Sequence, residues 1–185
     1  MAVLICIDPG FSMMGWSVLD HPGPGEYRLV AAGVWETEKS DKKTAVGASS
    51  DNMRRARELS RDLSLAIAQY QPRVLCHESQ SYPRDSSTAA KLGQCFGVIA
   101  AAAEAFDLPI VEIAPMSVKR AVVGLRTATK DEVIGAVEKV RGCENLGTLL
   151  KERKLARSKW NHAADSVAVG IAAGSSDVVR ALRKG

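Results

Sequence analysis

Three short apolar runs open the chain, and each is closed by a turn signal. Residues 2–7 are continuously apolar and include β-branched side chains, which is typical of a buried strand, and residues 13–20 and 27–37 are read as two further strands. Pro-Gly at 9–10 and the Pro/Gly cluster at 21–26 separate them. Because such short turns join neighbouring strands, the pattern predicts an antiparallel meander of three strands.

The rest of the chain alternates between helical and strand patterns. Pro72 ends a helix whose apolar residues recur at helical spacing, and Thr129 and Gly142 are suited to start and stop another. The pattern predicts helices at about 50–71, 86–106, 115–124, 129–142 and 161–174, and strands at 73–78 and 108–114. Residues 151–160 are basic, and their pattern assigns no element.

The order of these elements predicts an α/β fold. Strands 1, 4 and 5 are connected through helices and are therefore expected to be parallel, beside the antiparallel strands 1–3. The result is a mixed five-stranded sheet flanked by helices. A length of 185 residues is sufficient for one domain with a real core, so we expect a single domain over residues 1–185.

Several classes of protein are disfavoured by composition. No apolar run reaches about 18 residues, so no membrane span is expected, and the N-terminus lacks the features of a signal peptide. We therefore expect an intracellular protein. The four cysteines form no C-x-x-C pair, which argues against zinc and favours buried, reduced thiols.

Basic residues are concentrated in one part of the chain. Residues 1–118 hold 11 Lys and Arg against 14 Asp and Glu, whereas residues 119–159 hold 11 against 5. A local excess of positive charge indicates either a polyanionic partner or a solvated helical face.

Acids end two of the predicted parallel strands. Asp8 and Glu78 would lie side by side at the carboxyl edge of the sheet, where ligand sites of α/β proteins form. Two adjacent carboxylates repel each other unless a proton or a cation neutralises them. His162 and Asp165 share one face of the last predicted helix, either as a pair favoured by the helix dipole or as two further metal ligands.

Ordered motifs over most of the chain carry a resemblance to a known family. They are "IDPG…GW", the acid that ends the fourth strand, "KLGQCFGVIAAA", "APMSVKRAVVG", "ATKDEV" and "HAADSVAVGIA". In this order they resemble the RuvC family of Holliday junction resolvases. The resemblance implies a ribonuclease-H-like fold, a homodimer, and cleavage of four-way DNA junctions with two metal ions, in DNA recombination and repair.

The same resemblance assigns catalytic positions. Asp8, Glu78, His162 and Asp165 match the four metal-binding positions of the family, which implies two Mg²⁺ per active site, with Mn²⁺ able to substitute. Many members have aspartate at the position of His162, and imidazole favours Mn²⁺ more than a carboxylate does. His162 is either a ligand or the group that positions or deprotonates the attacking water. Lys119 and Lys130 match lysines that lie near the scissile phosphate or bind DNA.

Basic and aromatic residues elsewhere are expected to contact DNA. Tyr82 lies one position after the place where the family has an aromatic residue near the junction centre, and it either stacks on an unpaired base or has no role. The expected DNA-binding residues are Tyr82, Arg84, Lys119, Arg120, Arg126, Lys130, Lys151, Arg153, Lys154, Arg157 and Lys159. A second group is expected either to contact DNA or to aid solubility: Lys42, Lys43, Arg54, Arg55 and Arg57.

Two spacings predict contacts within and between chains. Gly93 and Gly97 lie four residues apart on one helix, in the core or, as the resemblance favours, at a dimer seam. Cys6 and Cys76 each precede an acid by two residues, so they should be neighbours one layer below it on the same face of the sheet.

Three other functions fit parts of the pattern. The acids also suit a ribonuclease-H-like nuclease that acts on other branched DNA, on RNA or on RNA–DNA hybrid. An actin- or sugar-kinase-like phosphotransferase needs two such domains, for which 185 residues are too few. A non-catalytic junction-binding protein would function without Asp8.

Overall fold

A mixed five-stranded sheet forms the centre of the molecule. The computed structural model describes residues 1–41, 46–79, 85–124 and 129–184. The strands are β1 (Ala2–Asp8), β2 (Met13–His21), β3 (Arg28–Glu36), β4 (Val74–Glu78) and β5 (Ile110–Ile113). Their order across the sheet is β3-β2-β1-β4-β5, with β1–β2–β3 antiparallel and β1, β4 and β5 parallel. The predicted mixed sheet is confirmed.

Helices cover both faces of this sheet. They are α1 (Ala48–Tyr70), α2 (Ser86–Ala105), α3 (Pro115–Val123), α4 (Lys130–Val137), α5 (Leu146–Glu152), α6 (Trp160–Ala173) and α7 (Asp177–Lys184). Helices α1 and α2 form an apolar core with one face, and α3, α4 and α6 form a second core with the other. Within the part of the chain that the structure describes, no helix is long and apolar enough to cross a lipid bilayer.

Helix α6 lies unusually close to the sheet because small residues face it. A Cβ atom on Gly170 would lie 2.7 Å from the Cys6 sulfur and 2.8 Å from Leu19 Cδ1, which is too close for any other residue without movement. Alanines around Gly170 are buried against the same sheet face. This close packing places the start of α6 at the carboxyl end of β1.

The predicted pair of buried thiols is confirmed. Cys6 and Cys76 are directly opposite each other on the parallel strands β1 and β4, and both are free and fully buried. Burial and the neighbouring Cys76 raise the pKa of the Cys6 thiol, so it stays protonated at neutral pH. These cysteines pack beneath the sheet edge that carries the acids.

Helix α4 is shorter than predicted, and two helices were not predicted. Thr129 forms the expected capping box with Glu132, but α4 ends at Val137 rather than near Gly142. Gly142 instead takes a positive φ of 89°, and its carbonyl accepts a hydrogen bond from the backbone of Leu29. This turn ties the segment after α4 to β3. Helices α5 and α7 form in stretches without an assigned element.

One residue of the second basic group is a core residue. Arg55 is 1% exposed and donates to Thr37 Oγ1 at 2.9 Å and to Ser12 Oγ at 2.8 Å. Its guanidinium also lies 4.5 Å from the centre of the Phe11 ring. The expected role of Arg55 in DNA contact or solubility is therefore wrong: it joins α1 to the loop that follows Asp8. Lys42 and Lys43 lie outside the described residues.

Candidate active site

Two carboxylates meet at one edge of the sheet because their strands are parallel neighbours. Ile7 is directly opposite His77, so Asp8 and Glu78 follow as the next residues on the two strands. Both are partly buried at the strand ends. The structure thus brings together the two acids that the sequence placed there.

A glycine allows the third predicted residue to approach. Gly15 on β2 pairs with Asp8 on β1. A Cβ atom at Gly15 would lie 1.9 Å from the backbone oxygen of His162. Only glycine permits α6 to begin this close to the strand. His162 Nδ1 consequently lies 3.2 Å from Asp8 Oδ2, with the two side chains 24% and 17% exposed.

The acids of this cluster interact strongly enough to change a protonation state. Burial, and after it the negative charges of Asp8 and Asp165, together raise the pKa of Glu78 from 4.5 to about 7, although Lys119 acts in the opposite direction. Glu78 therefore lies within electrostatic reach of Asp8, Asp165 and Lys119, and His162 joins the cluster through its contact with Asp8. A proton on Glu78 and a bound cation are two ways to relieve the same repulsion.

The donor set fits a hard divalent cation. Three carboxylates and one imidazole suit Mg²⁺ or Mn²⁺, and the negative charges of Asp8 and Asp165 beside Glu78 would be offset by a bound cation. Among the described residues, no three His, Cys, Asp or Glu side chains are grouped closely enough to hold a metal ion as they stand. The structure thus brings the four candidate ligands to one end of the sheet, but their side chains do not form a coordination shell.

An apolar wall adjoins the carboxylates and was not predicted. A cavity of about 210 Å³ is lined by Asp8 and Glu78 together with Pro9, Ser79, Leu92, Phe96 and Pro115. Leu92 and Phe96 lie one helical turn apart on α2, within the motif "KLGQCFGVIAAA", so the motif and its helical periodicity are the sequence signals that could have indicated them.

Of the predicted DNA-binding residues that the structure describes, Lys119 lies near the carboxylates. Lys119 is partly buried near Glu78, and Arg120 is exposed on α3. Tyr82, Arg84, Arg126 and the side chain of Lys130 lie outside the described residues. Lys151, Arg153, Lys154 and Arg157 are exposed in and after α5.

Several of these basic side chains are held against the protein. The Arg153 guanidinium lies 4.7 Å from the centre of the Trp16 ring, and that of Arg157 lies 4.2 Å from Trp160. Lys159 forms an ion pair with Glu36 at 2.5 Å. The segment between α5 and α6 is thus fixed to the outer edge of the sheet, on the side where α6 starts.

The raised pKa of Glu78 gives a pH-dependent prediction for the metal-free protein. A carboxyl group with a folded pKa of about 7 and an ordinary value of 4.5 favours folding fully below about pH 4.5, and this contribution is lost as the pH rises through 7. Glu78→Gln should therefore melt about 2–6 °C above the wild type at pH 8 in chelator. At pH 5 the difference should be much smaller.

Thermal unfolding of both proteins at the two pH values measures this effect. Glu104→Gln, on an exposed part of α2, is the matched control and should behave like the wild type. Equal melting temperatures for Glu78→Gln and the wild type at pH 8 would show that the ionised Glu78 side chain does not destabilise the folded protein.

Comparison with known proteins identifies the family. The family model described as "Crossover junction endodeoxyribonuclease RuvC" matches residues 4–173. The curated RuvC of Hydrogenovibrio crunogenus is 32% identical over 165 residues, which are 89% of this chain and 83% of that protein. The RuvC of Natranaerobius thermophilus is 26% identical over 169 residues, 91% and 92% of the two chains.

Solved structures give the same result. The structure of T. thermophilus RuvC in complex with a Holliday junction substrate is similar, with a TM-score of 0.71 and 25% identity, over 93% of this chain and 92% of that one. The yeast mitochondrial Holliday junction resolvase shares the fold, with a TM-score of 0.63 and 12% identity over 91% and 76% of the two chains. This chain belongs to the RuvC family of crossover junction endodeoxyribonucleases.

Proposed function

We propose that this endodeoxyribonuclease resolves four-way (Holliday) DNA junctions by paired symmetric nicks in DNA recombination and repair. The observation that carries the proposal is the convergence of Asp8, Glu78, His162 and Asp165 at the carboxyl edge of a ribonuclease-H-like sheet, in a chain that the family model matches over residues 4–173. A relative with the same fold has been solved with a Holliday junction.

The family is metal-dependent, and we assign the metal site to the four converging residues. Asp8, Glu78, His162 and Asp165 would hold two Mg²⁺, with Mn²⁺ able to substitute. Divalent cations in such a site activate a water molecule and stabilise the charge that develops on the leaving oxygen. His162, held at Asp8, either completes the ligand set or orients the attacking water, and Lys119 and Lys130 lie near the scissile phosphate or bind DNA.

Basic residues around the site bind the phosphates of the junction arms. Arg153 and Arg157 rest on tryptophan rings, and Lys159 is paired with Glu36, so this segment presents its charge from a fixed position. Contacts of this kind recognise the shape of DNA and weaken as salt rises. The proposed set is Tyr82, Arg84, Lys119, Arg120, Arg126, Lys130, Lys151, Arg153, Lys154, Arg157 and Lys159.

The proposed assembly is an intracellular homodimer of one nuclease domain over residues 1–185. Gly93 and Gly97 on α2 are exposed, and a Cβ atom on either would meet nothing within 4 Å. This part of α2 is open to the close approach of a second helix. A two-fold dimer would place two active sites on the two strands of equivalent sequence in a junction, as paired nicks require.

A side-by-side cleavage assay tests the function. The wild-type protein with Mg²⁺ or Mn²⁺ is given a synthetic four-way junction, a flap, a linear duplex and an RNA–DNA hybrid of the same sequence. We expect symmetric nicks in the junction at a rate at least about tenfold above that on the other substrates. Faster cleavage of the flap or of the hybrid would instead support a nuclease for other branched DNA or for hybrids.

A further inference from the structure

We propose that Phe96 stacks on the nucleobase of one of the two nucleotides that flank the cut phosphodiester. The apolar wall beside the carboxylates would be the subsite for this base. The inference rests on the proposed function and adds a residue that positions the substrate within that site.

The position of the wall argues for a flanking nucleotide. Asp8 and Glu78 contribute to the same cavity as Leu92 and Phe96, with Pro9 and Pro115 from the adjoining loop and helix start. A phosphodiester held at the carboxylates carries a nucleoside on each side. One of the two must therefore lie against or near this cavity when the phosphate is placed for cleavage.

The chemistry of the wall argues for a base rather than a phosphate. Phe96, Leu92 and the two prolines offer carbon surface and no positive charge, so a phosphate on the wall would lose hydration without compensation. A base has an apolar face and gains from stacking on an aromatic ring. In a four-way junction that is open at its centre, the bases there have no stacking neighbour across the branch point, so one of them is available for this contact.

The ring of Phe96 is held in place before DNA arrives. His77, buried beneath the wall on β4, contacts it edge-on, with the ring centres 5.4 Å apart and the planes at 65°. The His77 ring is itself fixed, since its Nδ1 lies 2.9 Å from the backbone oxygen of Glu78. A ring with a fixed orientation loses little conformational freedom on binding, which strengthens its stacking.

The test combines protein variants with modified junctions. Single-turnover cleavage is measured for wild type, Phe96→Ala and Phe96→Leu on an intact junction, and on junctions with an abasic nucleotide directly 5′ or directly 3′ of the cut. Phe96→Leu keeps apolar contact with His77 but removes the ring. Thermal unfolding and junction binding in chelator show whether each variant is folded, and Met116→Ala, at an exposed position on α3, is the control.

The expected result is that an abasic nucleotide slows cleavage by the wild type but not by a variant without the Phe96 ring. On wild type, one of the two abasic junctions should be cut roughly 5- to 150-fold more slowly, because stacking of one base is lost. Phe96→Leu should cut the intact junction more slowly by a similar factor and show no further loss on the abasic one. Met116→Ala should match wild type.

Two results would overturn the inference. One is that the wild type cuts both abasic junctions as fast as the intact junction. The other is that the abasic nucleotide slows cleavage by Phe96→Leu as much as it slows cleavage by the wild type. Either result can be obtained only if the wild type cuts the intact four-way junction. If wild type cuts no four-way junction at all, the proposed function itself has failed, which is a different outcome.

Discussion

Replacing Asp8 by asparagine should lower the rate of junction cleavage by at least about 10³-fold and leave junction binding within a few-fold of the wild type. Asp8 is the last residue of β1 and lies next to Glu78 at the end of β4. Its Oδ2 also lies 3.2 Å from His162 Nδ1, so Asp8 adjoins two of the other proposed metal ligands. Asparagine keeps the size and can still accept the hydrogen bond, but it removes a charge that a divalent cation needs. The loss of several kcal/mol of metal-assisted stabilisation gives the stated factor.

Three measurements make this prediction specific. Cleavage is followed with saturating Mg²⁺ and again with Mn²⁺, binding is measured in chelator, and thermal unfolding establishes that the variant is folded. Asp177→Asn, in which the replaced side chain is 98% exposed on α7, is the matched control and should cut normally. Cleavage by Asp8→Asn within tenfold of wild type would exclude Asp8 as an essential metal ligand, whereas a wild type that binds junctions without cutting them would favour a non-catalytic junction-binding protein.

The sequence predicted the parts of the site that depend on the pairing of parallel strands and on the alternation of side chains along them. Asp8 and Glu78 follow apolar runs on strands joined by helices, so their meeting at one edge, and that of Cys6 and Cys76 below it, required only the right-handed crossover and the two-residue period. His162 was predicted from its motif, and its approach to Asp8 depends on Gly15, whose role appears only when α6 is packed on β2.

The sequence did not predict features that depend on packing between distant segments. Gly142 resembled a helix stop, but α4 ends five residues earlier, and Gly142 instead bonds to Leu29 on β3, a contact that sequence spacing does not indicate. Phe96 lies within the motif "KLGQCFGVIAAA", but the motif does not indicate a role for this side chain, because that role depends on His77 and on a cavity that other elements complete. Charge alone is equally uninformative, since Arg55 and the exposed Arg57 differ only in which side of α1 they occupy.

Removal of the Arg55 side chain should be the most damaging change to stability. In Arg55→Ala, Thr37 Oγ1 and Ser12 Oγ lose a charged donor, and the Phe11 ring loses its stacked guanidinium. Loss of a large buried side chain and of its charged hydrogen bonds costs about 3–5 kcal/mol, which in a chain of this size is a fall of about 6–20 °C in melting temperature. Urea unfolding at neutral pH measures the change directly.

Two further variants separate this role from general effects on α1. Arg57→Ala, two residues along and exposed, should change the free energy of unfolding by no more than about 0.5 kcal/mol. Arg55→Lys keeps the charge but cannot reach several oxygens at once, so its stability should lie between those of Arg55→Ala and the wild type. If Arg55→Ala were as stable as Arg57→Ala, the guanidinium would not hold α1 against the loop after Asp8. If it were unstable as expected, the loop that follows the first catalytic acid would owe its position to a residue more than forty positions away, which sequence spacing cannot indicate.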